Sequence, residues 1–70
     1  MTEVDQYVRL EFLNPTGTVN FEAETTVSKV SYLFNYAKSN NLEVFVYNSI
    51  GRVIGHLWCE QGIWKHYLEN

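Results

Sequence analysis

His56, Cys59 and His66 are the side chains best suited to chemistry in this chain. Thiolate and imidazole both ligate zinc, and an imidazole beside a thiol can take its proton and leave a nucleophile. Whether the three can meet depends on strand geometry, because successive side chains in a strand point to opposite faces. Glu60-Gln61-Gly62 reads as a three-residue hairpin loop with glycine at the left-handed position. That loop pairs Trp58 with Trp64 and His56 with His66, and it sends Cys59 to the other face. The two histidines alone fall short of a structural zinc site, although such a pair could be a pH-sensitive element of an interface. The sequence therefore predicts no metal, no cofactor and no catalytic residue. Cys59 reads as a small buried hydrophobe.

No phosphate loop, nucleophile elbow, dinucleotide fingerprint or paired metal-ligand motif is present. Gly17, Gly51 and Gly62 fall in turns, and Gly55 sits inside a strand, where it would let a neighbour come close. A pocket enclosing a small-molecule substrate is hard to build from 70 residues. The expectation is a protein that is not an enzyme.

The elements that must position these residues follow from periodicity. Tyr7 to Leu13 alternate, with Val8, Leu10 and Phe12 on one side and Tyr7, Arg9 and Glu11 on the other. Asn14-Pro15-Thr16-Gly17 supplies a turn, after which Phe12 is expected opposite Val19 and Leu10 opposite Phe21. Thr18, Asn20 and Glu22 then join the polar side. A helix begins near Thr25 or Thr26, carries the stripe Val27, Val30, Leu33, Phe34 and Ala37, and ends at Ser39-Asn40-Asn41. Tyr32 and Tyr36 flank that stripe, at the edge of the core or at the surface. Alternation returns from Leu42 to Tyr47, and Asn48-Ser49-Ile50-Gly51 turns the chain into a strand from Arg52 to Cys59. Val46 is expected opposite Val53, with Leu42, Val44, Val46, Val53, Leu57 and Cys59 facing the helix. Ile63 to Leu68 form the last strand. The order along the chain is ββαβββ: an α+β fold, a largely antiparallel β-sheet with one helix packed on one face, in a single domain spanning 1–70. There is no internal repeat beyond the resemblance of one hairpin to another.

Composition limits the partners. A hydrophobic content of 46% and an aromatic content of 16% exclude disorder. So small a domain has a marginal core, which an oligomer or a bound partner often supplements. With 5 Lys+Arg against 8 Asp+Glu, the net charge of −3 gives no general attraction to nucleic acid. No apolar run is long enough to span a bilayer, and Met1 to Asp5 lack the features of a signal peptide. One cysteine excludes an internal disulfide framework. These features are those of a cytoplasmic protein without a membrane segment.

One helix covers one face of the sheet. On the other face the last three strands are expected to place Glu43, Phe45, Tyr47, Arg52, Ile54, His56, Trp58, Trp64, His66 and Leu68. A patch with two tryptophans, a tyrosine and a phenylalanine has the composition of an interface. The sequence thus predicts a protein-binding module, with Phe45, Tyr47, Trp58 and Trp64 as anchors and Arg52 and Glu43 setting orientation. It would be an accessory regulator or inhibitor of the kind viruses encode against their hosts, or it would use the face to form a homodimer. Burial of the aromatics by a curled sheet or by the termini is the structural alternative. Single-stranded nucleic acid stacking on the same rings is the functional one, but the basic surround is missing, with Lys65 expected on the helix side or the sheet edge. Slipping the last hairpin by one residue would move Trp64 and His66 to the other face.

Overall fold

The computed structural model describes residues 5–69. Met1 to Val4, which the sequence reading allowed to fold back, lie outside the described residues. The chain forms β1 (Tyr7–Leu13), β2 (Val19–Thr26), a short 3₁₀ turn (Val27–Lys29), α1 (Val30–Ser39), β3 (Glu43–Tyr47), β4 (Val53–Glu60) and β5 (Ile63–Leu68). The strands make one antiparallel sheet in the order β2-β1-β3-β4-β5. The ββαβββ architecture is the one the periodicity requires. Among the described residues no helix is long and apolar enough to cross a membrane.

The helix covers one side of this sheet and creates the core. Val30, Phe34 and Ala37 of α1 are buried with Val8, Leu10 and Phe12 of β1 and Val44, Val46 and Leu57 of the central hairpin. Val27 and Leu33 complete the stripe from its half-buried flank. Tyr36 sets its ring edge-on to the stacked Phe12 and Phe21 and closes one border of the core, whereas Tyr32 stands in solvent. Thr26 makes no side-chain cap at the start of the helical segment. Asp5 does so instead, accepting from the Ser28 backbone N–H at 3.0 Å and from the Ser28 hydroxyl. At the C-terminus Asn41 takes φ of 56°, and the Leu42 and Asn41 N–H groups bond the carbonyls of Ala37 and Lys38. This is a Schellman cap with asparagine in the left-handed position, and it delivers Leu42 into the core.

The first two hairpins share one construction. Gly17 N–H bonds Asn14 C=O and Asn14 N–H bonds Thr18 C=O; Gly51 and Arg52 repeat both bonds with Asn48. Both glycines have positive φ, the conformation such a turn needs. Each turn is followed by a bulge in the second strand, at Asn20 and at Ile54. The bulges shift the expected pairing: Phe12 lies opposite Phe21 and Leu10 opposite Ala23, while Val46 lies opposite Gly55 and Val53 opposite Tyr47. The correspondence extends through the whole ladder. Leu13↔Val19, Phe12↔Phe21, Glu11↔Glu22 and Leu10↔Ala23 match Tyr47↔Val53, Val46↔Gly55, Phe45↔His56 and Val44↔Leu57, every residue displaced by the same number of positions. β1 and β3 pair antiparallel about Glu11 and Phe45, so the two hairpins are related by a local two-fold axis. The resemblance of the hairpins is an internal repeat of backbone structure, with α1 joining the copies and β5 added at one edge.

The last hairpin departs from expectation by one residue. Gln61 and Gly62 both take positive φ, and Glu60 pairs with Ile63. This two-residue turn has the twist that antiparallel strands prefer. It pairs Cys59 with Trp64, Leu57 with His66 and Gly55 with Leu68. Trp64 and Leu68 thereby pack against the core, and His66 meets Phe34 edge-on at 5.9 Å between centroids. Burial of an indole and a leucine favours this register over the three-residue loop.

Candidate functional site: the open face of the sheet

On the side away from the helix, Phe45, His56, Trp58 and Tyr67 form a connected aromatic strip, with Tyr47 two residues along β3 from Phe45, each brought there by strand alternation. His56 is its centre. Phe45 lies opposite His56 on β3, Tyr67 lies opposite it on β5, and Trp58 follows two residues along β4. The imidazole is stacked between Phe45 (4.2 Å, 8°) and Trp58 (4.5 Å, 19°), with Tyr67 edge-on at 6.5 Å. Its Nε2–H donates to Glu43 Oε2 at 2.6 Å, and the histidine side chain retains 21% of its accessibility. Most of its surroundings are therefore fixed by this chain. Offset or parallel stacking of this kind adds about 0.5–1.5 kcal/mol per pair beyond burial.

A second polar and aromatic group adjoins the strip. The Arg9 guanidinium lies 4.5 Å from the Tyr47 ring centroid, and Arg9 Nη1 is 2.6 Å from Glu22 Oε1 and 3.9 Å from Glu11 Oε2. Tyr47 donates its hydroxyl to Glu11 at 3.4 Å. Burial raises the Tyr47 phenol above its ordinary value, and the Glu11 carboxylate adds to the effect. Lys65 also faces this side, bonded to Glu60 at 2.9 Å, rather than the helix side or the edge.

Of the residues expected on this face, Glu43, Phe45, Tyr47, His56 and Trp58 come together. Ile54 does not: the bulge turns it into the core, where it is 6% exposed, and Val53 takes the outer position. Trp64 and His66, with Leu68, lie on the helix side because of the two-residue turn, so His56 and His66 are not a pair. Arg52 stays in its loop and binds Glu69 at 2.7 Å, away from the strip. Cys59 is exposed instead of buried. It shares the helix-facing register with His66 while His56 lies opposite, so the chemically capable trio is divided in a different way from the one expected. Among the described residues no three His, Cys, Asp or Glu side chains are grouped to hold a metal ion.

Tyr67, Lys65 and Ile63 belong to the open face and were missed by sequence reasoning. The signal was the dipeptide Gln61-Gly62, which can close a two-residue turn as well as a three-residue one. Compared with known proteins, the chain matches no family model, no curated protein and no solved structure.

Proposed function

We propose that this protein is a non-enzymatic binding module that docks another protein on the aromatic strip of its open face, acting as an accessory regulator or inhibitor. The observation that carries the proposal is the repeat. In the first hairpin Arg9, Glu11, Glu22 and Glu24 occupy the positions that Glu43, Phe45, His56 and Trp58 occupy in the second. The same backbone, on the same side of the sheet, is stable with four charged residues in one copy. Strand pairing alone therefore does not ask for Phe45, His56 and Trp58 in the other. Aromatic rings on an outer face are characteristic of binding surfaces, where tyrosine and tryptophan supply most of the energy. Beside the Glu43–His56 pair, Tyr67 is 44% exposed and Trp58 is half-buried, so both rings can be reached by a partner.

The carboxylates of Glu11, Glu22 and Glu43 on this side favour a protein over a nucleic acid, whose phosphates they would repel. A partner captured from the source cells should protect Phe45, Tyr47 and Tyr67 and the strands that carry them from hydrogen exchange. Trp58→Ala should reduce its yield while the variant stays folded. Protection confined to α1 or to the β2 edge, or equal yield with Trp58→Ala, would reject this surface. Light scattering over a concentration series separates a foreign partner from a second copy of the chain.

A further inference from the structure

β3 begins at Glu43, whereas β4 runs on to Glu60 and β1 leads into the Asn14–Pro15 turn. The short central strand leaves a notch at this end of the sheet, a groove of about 310 Å3. Glu43 and Trp58 line it from the open face, and Trp64 and Asn41 of the helix cap line it from the helix side. We infer that this groove binds the guanidinium of an arginine side chain presented by the docking partner. The inference deepens the proposal that the open face binds protein and rests on it.

Four features converge on a planar cation. The groove lining includes a carboxylate and no lysine or arginine. Glu43 uses Oε2 for His56, which leaves Oε1 for a second donor. Trp58 has one face against His56 and also borders the groove, and an indole attracts a cation over its face more strongly than other rings do. The C-terminus of α1, the negative end of the helix, adjoins the groove through Asn41. The protein also shows this recognition once within its own chain: Arg9 lies on the Tyr47 ring with the carboxylates of Glu22 and Glu11 beside it. An aromatic plane with an adjacent carboxylate is the same combination that Trp58 and Glu43 present in the groove.

The test uses the whole chain and N-acetyl-arginine amide, followed by the indole N–H resonances of Trp58 and Trp64. Both should move saturably, and the isosteric neutral citrulline derivative should move neither to a comparable extent. Glu43→Gln, which keeps the hydrogen-bonding shape and removes the charge, should weaken binding by about fivefold, the upper end for an exposed ion pair. Equal shifts with arginine and citrulline would overturn the inference, as would unchanged affinity in Glu43→Gln. The citrulline arm requires no variant and decides the matter even if Glu43→Gln fails to fold. Because the probe reads the groove without a partner, a negative result together with a partner footprint on Phe45 and Tyr67 would remove the cation site and leave the docking face in place. Saturable, arginine-specific shifts with no partner footprint on the strip would leave a cation site but overturn its assignment to a docking partner.

Discussion

Replacing Gly55 by alanine tests the register of the last hairpin. In the first hairpin the equivalent position holds Phe21; in the second, the space is filled by Leu68 from β5. A Cβ on Gly55 would lie 2.8 Å from Leu68 Cδ1 and 3.1 Å from both Val46 Cβ and Val46 Cγ2. The Leu68 methyl must leave the place it fills over Gly55 and lose its packing there, and Val46, fully buried, must give by a few tenths of an ångström. Overpacking of this kind costs about 1–3 kcal/mol. Losing a flexible glycine from the unfolded chain returns about 0.5–1 kcal/mol. The net expectation is a loss of about 1–2 kcal/mol, or roughly 4–8 °C in Tm per kcal/mol for a domain of this size. Leu68→Ala alone should cost about 1–2 kcal/mol, less than a fully buried leucine because Leu68 is half-buried. Combined, the two substitutions should be less destabilising than their sum by about 1 kcal/mol, since the methyl that collides is gone. Urea denaturation of the four proteins measures this coupling. Additivity within about 0.3–0.5 kcal/mol would mean that Leu68 does not lie over Gly55, and the two-residue turn at Gln61-Gly62 would be refuted with it.

Three further outcomes follow from the same geometry. Ile54→Ala should cost about 2–4 kcal/mol in denaturant melts, as for a buried aliphatic side chain, whereas Tyr67→Ala should change stability by less than about 1 kcal/mol; the opposite ranking would place Ile54 outside the core. Gln61→Asn, at a left-handed position that asparagine tolerates better, should raise stability by about 0.5 kcal/mol; a loss would contradict the turn type. The Asp5 carboxyl is held below its ordinary value by the Ser28 hydroxyl first and the Ser28 backbone N–H second. Its contribution is present above the unfolded pKa of about 3.9 and is lost as the pH falls through the lower folded value, so Asp5→Asn should flatten the acid limb of stability against pH there, and an unaltered limb would argue against the cap.

Element types were legible in the sequence because alternation and helical spacing are read from single residues: Val8, Leu10 and Phe12 announce β1, and Val30, Phe34 and Ala37 announce the buried face of α1. The left-handed ending at Asn41 was legible for the same reason, since few residue types accept that conformation. Facing was harder. Whether Trp64 points to the helix or away depends on the number of residues in the Glu60–Ile63 turn, and both counts are compatible with Gln61-Gly62. The bulge that buries Ile54 is no clearer locally, because its first-hairpin counterpart is a polar asparagine. Glu43, Phe45, Tyr47, His56 and Trp58 were placed correctly because the Ile54 bulge moves the β3–β4 pairing beyond it by two residues, an even shift that leaves the facing of His56 and Trp58 unchanged. Trp64 and His66 were misplaced because the shorter Gln61-Gly62 turn moves the pairing by one.

The repeated hairpin has a consequence for how the chain folds. Each copy closes on its own turn, with every β1–β2 and β3–β4 partner nearby in sequence, and hairpins of this kind form in about 1–10 μs. The ladder that unites them, Arg9↔Tyr47 through Leu13↔Glu43, must bring together strands separated by the whole of β2 and α1. Closing that loop costs chain entropy before its contacts repay it, so docking of β1 on β3 is the expected slow step. Substitutions at Leu10 and Val46 should then slow folding more than equal destabilisation at Trp64 or Leu68, a difference that folding and unfolding rates in urea would reveal. The two-fold axis that gives the protein its two unlike half-faces would also be the seam along which it assembles.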